Sequence, residues 1–155
     1  MRVLGIDPGF GIVGFGVIEY KSMSDFEYVA HGSIKTSISD SFGLRLIEIA
    51  NDLEVILNKY KPDKVLIEQL FFAKNITTAM KVSQAKGVIL LQVAKYGLEA
   101  INITPLQVKM GLTGNGKAQK SEVRKMVKEF LKKPALKGVD DAIDALAVAI
   151  AGVGM

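Results

Sequence analysis

The sequence predicts an α/β fold in which a five-stranded mixed sheet carries helices on both faces. Three observations lead to this prediction. Residues 1–36 contain three β-rich runs, residues 37–103 alternate between helical and strand patterns, and residues 104–155 contain helical patterns joined by loops. The 155 residues match the length of one domain, and we predict that 1–155 is a single domain.

The first three predicted strands lie close together in the chain. Residues 2–7 (RVLGID) form a short apolar run that ends at Asp-Pro-Gly, which is a turn signal. Residues 12–20 and 26–36 are rich in β-branched and aromatic side chains, and the polar segment 21–25 separates them. We therefore expect strands 1 to 3 to form an antiparallel meander.

The remaining elements alternate in type. Apolar side chains recur at helical spacing over 41–60, and Asp40 or Ser41 is the candidate N-cap. Residues 64–68 (KVLIE) form a buried strand that follows this helix, so we expect strand 4, and strand 5 after it, to run parallel to strand 1. The other predicted elements are a helix over 76–96, strand 5 over 98–103, a helix that starts at Thr104-Pro105, a loop over 111–116, and helices over 120–133 and 140–151.

The composition excludes several kinds of chemistry. The chain has no cysteine and a single histidine, His31, so disulfides, zinc fingers, thiol catalysis and multi-histidine metal sites are excluded. We identify no signal peptide and no uncharged apolar run of about 18 residues, so we expect a cytoplasmic protein without a membrane segment. Any catalysis must then depend on carboxylates, lysines, hydroxyls or the backbone.

The positive charge is concentrated in one part of the chain. The net charge is +4, but residues 104–137 carry a local +7 and the rest of the chain carries −3. A basic segment beside a mildly acidic body favours a polyanionic partner such as nucleic acid. A solvated basic surface without such a partner is the alternative.

Two glycine-rich motifs do not have the context that nucleotide binding needs. Residues 9–14 fit GxGxxG, but the chain continues as a β-rich run, whereas a dinucleotide site needs a helix there. Residues 111–117 fit most of a P-loop, but Ala118 stands where the magnesium-binding hydroxyl is required. We expect neither a dinucleotide nor an NTPase site.

Four acidic residues occupy positions that can converge. Asp7 and Glu68 end strands 1 and 4, and Asp141 and Asp144 share one face of the last helix. If strands 1 and 4 are parallel neighbours, these acids meet at one edge of the sheet. Hard oxygen ligands favour Mg²⁺ or Mn²⁺, and two such ions roughly 4 Å apart suit phosphodiester hydrolysis. Individually, Asp7 could simply form its turn, Glu68 could pair with a lysine, and the helix acids could favour the helix dipole.

The sequence resembles the RuvC family of Holliday junction resolvases over nearly its whole length. The resemblance rests on four motifs, in the family's order and spacing: GIDPG at 5–9, IEQLFFAKN at 67–75, QAKGV at 84–88 and DDAIDALAVAI at 140–150. It implies the ribonuclease H-like fold, which agrees with the order of elements above. It also implies that the catalytic and metal-binding acids are Asp7, Glu68, Asp141 and Asp144; Asp140 has no clear counterpart.

The resemblance also implies DNA contacts. Phe71 matches an aromatic residue that stacks on bases near the crossover, with Phe72 as its neighbour, and Lys109 and Lys120 match basic residues linked to DNA binding and cleavage. Lys117 is close enough to substitute for Lys120. The full set of expected DNA-binding residues is Phe71, Phe72, Lys74, Asn75, Lys109, Lys117, Lys120 and Arg124.

The activity implied by the resemblance is Mg²⁺-dependent cleavage of four-way DNA junctions in homologous recombination and DNA repair. Two Mg²⁺ per site, replaceable by Mn²⁺, would support in-line hydrolysis that leaves paired symmetric nicks with 5′-phosphate and 3′-hydroxyl ends. The expected partners are junction DNA, a second copy of the chain and the RuvA–RuvB branch-migration complex. A row of small residues at Ala79, Ser83 and Gly87 also suits close helix contact with a second protomer.

The sequence departs from the family pattern in two places. The chain ends soon after the last helix motif, without the basic tail of longer relatives, and the loop after GIDPG lacks the polar residues common there. Two other functions remain open from the residues alone. One is a junction-binding module without catalysis, and the other is a nuclease of the same fold that acts on RNA–DNA hybrids.

Overall fold

A computed structural model describes residues 1–70 and 76–155, except for the side chain of Ile76. Its elements run, in chain order, β1 Arg2–Asp7, β2 Ile12–Ser22, β3 Asp25–Lys35, α1 Phe42–Tyr60, β4 Lys64–Glu68, α2 Ile76–Lys95, β5 Ala100–Ile103, α3 Pro105–Thr113, α4 Lys120–Phe130 and α5 Asp140–Ala151. Within the described ranges, no helix is long and apolar enough to cross a membrane.

The five strands form one mixed sheet in the order β3-β2-β1-β4-β5. Strand β2 pairs antiparallel with both β1 and β3, whereas β1, β4 and β5 run parallel to one another. The predicted meander and the predicted parallel strands are therefore confirmed. The register aligns Ile6 of β1 with Ile67 of β4, so the next residues, Asp7 and Glu68, lie at the same edge of the sheet.

Both faces of the sheet are covered, as predicted for helices on both sides. Alternate side chains of each strand enter different cores: Val3 and Leu66 pack on one face, and Leu4 and Ile67 pack on the other. The first face carries α3, α4 and α5, and the second carries α1 and α2. All four of these strand residues are fully buried, so the strand ends are held in fixed positions by packing.

Three glycines allow α5 to lie directly on the sheet. A Cβ atom at Gly14 would lie 2.0 Å from the carbonyl oxygen of Asp141, and one at Gly5 would lie 2.1 Å from that of Ala145. Gly16 would meet Leu146 in the same way. Any side chain at these positions would push the helix away. Gly14, the last glycine of the GxGxxG pattern, therefore allows α5 to pack on strand β2.

One predicted loop is wrong in part. Residues 111–113, predicted as loop, belong to α3, because Gly111 packs against Ala151 of α5 and the helix ends only at Gly114, which has φ 70°. The predicted helix over 120–133 ends earlier, at Phe130, since the chain turns at Lys132 with φ 53°.

The other boundaries differ slightly from the predictions. The hairpin between β2 and β3 turns through two residues, Met23 and Ser24, so these strands extend into the segment 21–25 that was predicted as loop. Ser41, one of the two predicted caps of α1, accepts a hydrogen bond from the backbone N–H of Leu44. Strand β5 begins two residues later than predicted, at Ala100.

Candidate active site

The parallel pairing of β1 and β4 brings two carboxyl groups together. Each strand is apolar and buried until its last residue, where the chain leaves the sheet with an acidic side chain, Asp7 in β1 and Glu68 in β4. The two carboxyl groups form a hydrogen bond with each other. The sequence-predicted pair therefore lies in direct contact.

Helix α5 adds two further acids to this edge. Its first turn lies on β2, where Gly14, the partner of Asp7 in the register, meets the backbone of Asp141. Asp144 follows three residues later on the same face, with 22% of its side chain exposed. Both charges act on Asp7, so the four acids predicted from the sequence share one electrostatic environment.

Asp7 is the most perturbed of these acids. Its pKa is raised from 3.8 to about 8, first by burial and then by the negative charges of Glu68, Asp144 and Asp141. The pKa of Glu68 is also raised, first by burial and then by the charge of Asp144. The hydrogen bond between the pair raises the pKa of Asp7 and lowers that of Glu68.

Two cationic side chains of α4 face the acids of α5. Lys120 Nζ lies 2.5 Å from an Asp144 carboxylate oxygen, and this contact raises the pKa of Lys120 although burial acts in the opposite direction. Arg124 Nη2 lies 2.7 Å from Asp140 Oδ1, and its Nε lies 4.0 Å from Asp144 Oδ1. Asp140, which had no clear counterpart in the resemblance, thus points toward Arg124.

Arg124 and Asp140 form a close ion pair. The Nε and Nη2 atoms of Arg124 are shielded from solvent and have no partner in hydrogen-bond geometry within the described residues.

Sequence reasoning assigned no role to Lys86, which supports Glu68. Its ammonium donates to the backbone carbonyl of Glu68 at 3.0 Å and to Asn102 Oδ1 at 2.6 Å, so one side chain of α2 joins the ends of β4 and β5. Burial, opposed by the charge of Glu68, lowers the pKa of Lys86. The sequence feature that could have pointed to Lys86 was the QAKGV motif at 84–88, in which this lysine follows the fully buried Ala85.

A cleft opens beside Glu68 and Asp144, and two of the predicted basic residues line it. Lys109 of α3 and Lys120 of α4 share this cleft with the two acids. Its remaining lining consists of Pro105, Val108, Ala118, Gln119, Val123 and Ala147. The cleft therefore joins an acidic side, a basic side and an apolar floor.

Of the other predicted DNA-binding residues, Lys117 and Arg124 are not among those that line this cleft. Lys117 is exposed on the loop between α3 and α4. Four predicted contacts lie outside the described residues, namely Phe71, Phe72, Lys74 and Asn75.

The chemistry of the four acids fits a divalent cation. All four are hard oxygen donors, and the negative charges of the other three contribute to the raised pKa of Asp7. Within residues 1–70 and 76–155, no three acidic or imidazole side chains form a ready-made metal cage. The ammonium of Lys120 offsets part of this negative charge, and a bound divalent cation would offset more of it.

Comparison with known proteins assigns the chain to a family. A family model described as crossover junction endodeoxyribonuclease RuvC matches residues 3–152. The chain belongs to the RuvC family. RuvC of Ruminiclostridium cellulolyticum is 46% identical over 150 residues, which cover 97% of this chain and 90% of that protein. RuvC of Caldicellulosiruptor saccharolyticus is 45% identical with the same coverage of both chains.

Solved structures agree with the family and with the predicted ribonuclease H-like fold. Thermus thermophilus RuvC, solved in complex with a Holliday junction substrate, superimposes with a TM-score of 0.92 at 32% identity, over 97% of this chain and 92% of that one. The yeast mitochondrial Holliday junction resolvase Ydc2 shares the fold, with a TM-score of 0.70 at 14% identity, over 96% of this chain and 76% of that one. RuvC family nucleases are metal-dependent.

Proposed function

We propose that this protein is a Holliday junction resolvase, a structure-specific endonuclease that cuts four-way DNA junctions. The observation that carries the proposal is the meeting of Asp7 and Glu68, at the ends of two parallel strands, with the acidic face of α5. Membership of the RuvC family supports the same activity. Lysines and an arginine lie directly beside these acids, as a polyanionic substrate requires.

The four acids would hold the metal. We propose Mg²⁺ as the physiological ion, two per site, with Mn²⁺ as a substitute, bound by Asp7, Glu68, Asp141 and Asp144. A divalent cation bound there supplies Lewis acidity, which eases proton loss from the attacking water and offsets charge on the scissile phosphate. Asp7, whose pKa is raised, would bind the metal in its ionised form.

The residues around the acids would bind and orient the phosphate. Lys120 neutralises Asp144 in the described arrangement, so a ligated Asp144 would leave its ammonium available for a phosphate oxygen. Lys109 lines the same cleft, and Arg124 lies beside Asp144. In-line attack by water would leave a 5′-phosphate and a 3′-hydroxyl, ends that a ligase can seal.

The other predicted DNA contacts remain part of the proposal. Lys117 would contact the phosphodiester backbone from the loop between α3 and α4. Within seven residues of Glu68, the sequence continues with Phe71, Phe72, Lys74 and Asn75. Phe71 would stack on bases at the crossover.

We also propose that the protein acts as a homodimer through α2. The outer face of this helix exposes apolar side chains, with Met80 and Leu91 each 58% exposed. Small residues lie on the same helix: Ser83 and Gly87 are exposed, and a Cβ atom at Gly87 would meet nothing within 4 Å. A second copy would cover this apolar face, and a two-fold protein would present two active sites to two strands of a two-fold junction.

The wider setting follows from the substrate. Junctions arise in homologous recombination and DNA repair, and we propose that the protein acts there in the cytoplasm, together with the RuvA–RuvB branch-migration complex. Paired symmetric nicks on opposite strands are the expected product of the homodimer.

Cleavage of a labelled four-way junction in Mg²⁺ tests the proposal. Wild type should make paired, ligatable nicks, and Asp7→Asn should lose them because a metal ligand is removed. Asp52→Asn is the matched control, since Asp52 is an exposed acid on α1, and it should cut at the wild-type rate. Linear duplex and RNA–DNA hybrid of the same sequence should remain intact.

Other results would support the alternatives. Tight junction binding without cutting in Mg²⁺ or Mn²⁺ would indicate a binding module and would refute the catalytic role of the acids. Cutting of the hybrid in preference to the junction would indicate a nuclease of the same fold with a different substrate.

A further inference from the structure

We propose that His31 is a positioning residue for the acidic N-terminus of α5, and that it holds Asp141 against the acids of the sheet. The inference rests on the proposed function, because it assigns a role toward the proposed metal ligands. His31 lies on β3, outside the group of acids, and acts through the loop that leads into α5.

The first turn of α5 needs an external support. The helix begins after Val139, whose side chain contains no hydrogen-bonding atom and therefore cannot cap the free N–H groups of the first turn. Asp141, one of the proposed metal ligands, lies in this turn, so the position of the turn matters for the site. A contact just before Val139 is thus well placed to determine where the helix starts.

His31 supplies such a contact. Its Nε2 lies 2.8 Å from the carbonyl oxygen of Lys137, two residues before Val139. A carbonyl oxygen only accepts hydrogen bonds, so Nε2 carries the hydrogen and donates it. In the neutral ring Nδ1 is then an acceptor, and the hydroxyl of Tyr28, at 2.9 Å, donates to it. Two bonds therefore fix the orientation of the ring.

The ring also packs closely on the same loop. A Cβ atom at Gly138 would lie 2.5 Å from Nε2 of His31, so only glycine allows the imidazole to approach this closely. The register pairs His31 with Gly16 of β2, and the backbone of Asp141 lies on Gly14, two residues away on that strand. The two neighbouring strands thus hold the loop and the first helical turn together.

Metal binding in the absence of DNA gives the most direct test. Mn²⁺ affinity would be measured by calorimetry and by electron paramagnetic resonance on the full chain. Outer residues that orient ligands typically affect metal affinity by about 10- to 100-fold, so His31→Ala should bind Mn²⁺ roughly 10-fold more weakly. His31→Gln should recover most of the affinity, because its amide N–H reaches the position of Nε2, whereas the shorter His31→Asn should not.

Arg2→Ala is the matched control for loss of stability. Arg2 Nη1 donates to the carbonyl of Tyr60 at 2.9 Å, so it ties a strand to the C-terminal end of α1, but Arg2 lies at the opposite end of β1 from Asp7. This variant should lower the melting temperature and leave Mn²⁺ affinity unchanged. In junction cleavage at limiting metal, His31→Ala should lower kcat without raising KM for the junction, and saturating Mn²⁺ should restore kcat.

The outcomes separate this inference from the proposed function. Wild-type Mn²⁺ affinity in His31→Ala, or equal weakening in Arg2→Ala, would overturn the role of His31 alone. Equal loss in His31→Gln and His31→Ala would do the same, because the hydrogen bond to Lys137 would then not matter. A wild-type protein that binds no Mn²⁺ would overturn the proposed function, and this inference with it.

Discussion

Replacing Asp7 by asparagine should stabilise the metal-free protein while it abolishes cleavage. Burial and three neighbouring carboxylates raise the pKa of Asp7 to about 8, so the folded protein holds a proton there that the unfolded chain releases at neutral pH. Asparagine has the shape of the protonated acid, and its amide can donate to Glu68 as that proton does. The variant therefore keeps the contact and removes the group whose ionisation favours unfolding.

The magnitude follows from proton linkage. With a pKa of 3.8 in the unfolded chain and about 8 in the folded one, the gain in free energy of unfolding at pH 7 reaches at most about 4 kcal/mol. Because the proton is shared with Glu68, we expect about 2–4 kcal/mol, or a rise in Tm of roughly 5–15 °C for a domain of this size. The folded state binds the extra proton, so the wild type should lose stability as pH rises from about 4 to 8.

Thermal and urea unfolding in EDTA between pH 5 and 9 measures this effect, with Asp52→Asn as the control on α1. Adding Mg²⁺ should stabilise the wild type, by about 2.7 kcal/mol at 100 times the dissociation constant, and should not stabilise Asp7→Asn. The reasoning is refuted if Asp7→Asn melts at or below the wild-type temperature in EDTA and has the same dependence on pH.

Three further predictions test other parts of the site. Asp141→Asn should lower kcat for junction cleavage at least 100-fold, while Asp140→Asn stays within about threefold in the same assay, because Asp140 faces Arg124 and is 66% exposed. Gly14→Ala should cost about 2–4 kcal/mol in urea unfolding, because its Cβ overlaps the α5 backbone, whereas Gly43→Ala on α1 meets nothing and should be neutral or stabilising. Lys109→Gln should reduce the salt dependence of junction binding by about one phosphate contact in a titration of affinity against salt.

The strand-end acids were predictable because the rule behind them is geometric. Parallel strands present their carboxyl ends at one edge, so two apolar runs that each end in an acid, at Asp7 and Glu68, predict a shared site without any knowledge of side-chain positions. The cationic side chains that pair with the acids of the site were not predictable. Lys120 and Arg124 lie four residues apart and therefore share one face of α4. Which neighbour that face meets depends on the packing of α4 against α5, where Lys120 meets Asp144.

The roles of adjacent acids depend on how a helix is rotated about its axis, and a sequence alone does not fix that rotation. Asp140 and Asp141 are neighbours, yet an α-helix turns about 100° per residue, so one can face Arg124 while the other faces the sheet. The position of α5 depends on Gly14 of β2, because the missing Cβ of this residue leaves room for the backbone of Asp141. The same holds for His31 and Lys137, whose hydrogen bond joins residues that are 106 positions apart. The meeting of acidic residues at one edge of the sheet can therefore be predicted from local sequence patterns. The direction in which each side chain of the site points requires the packed structure.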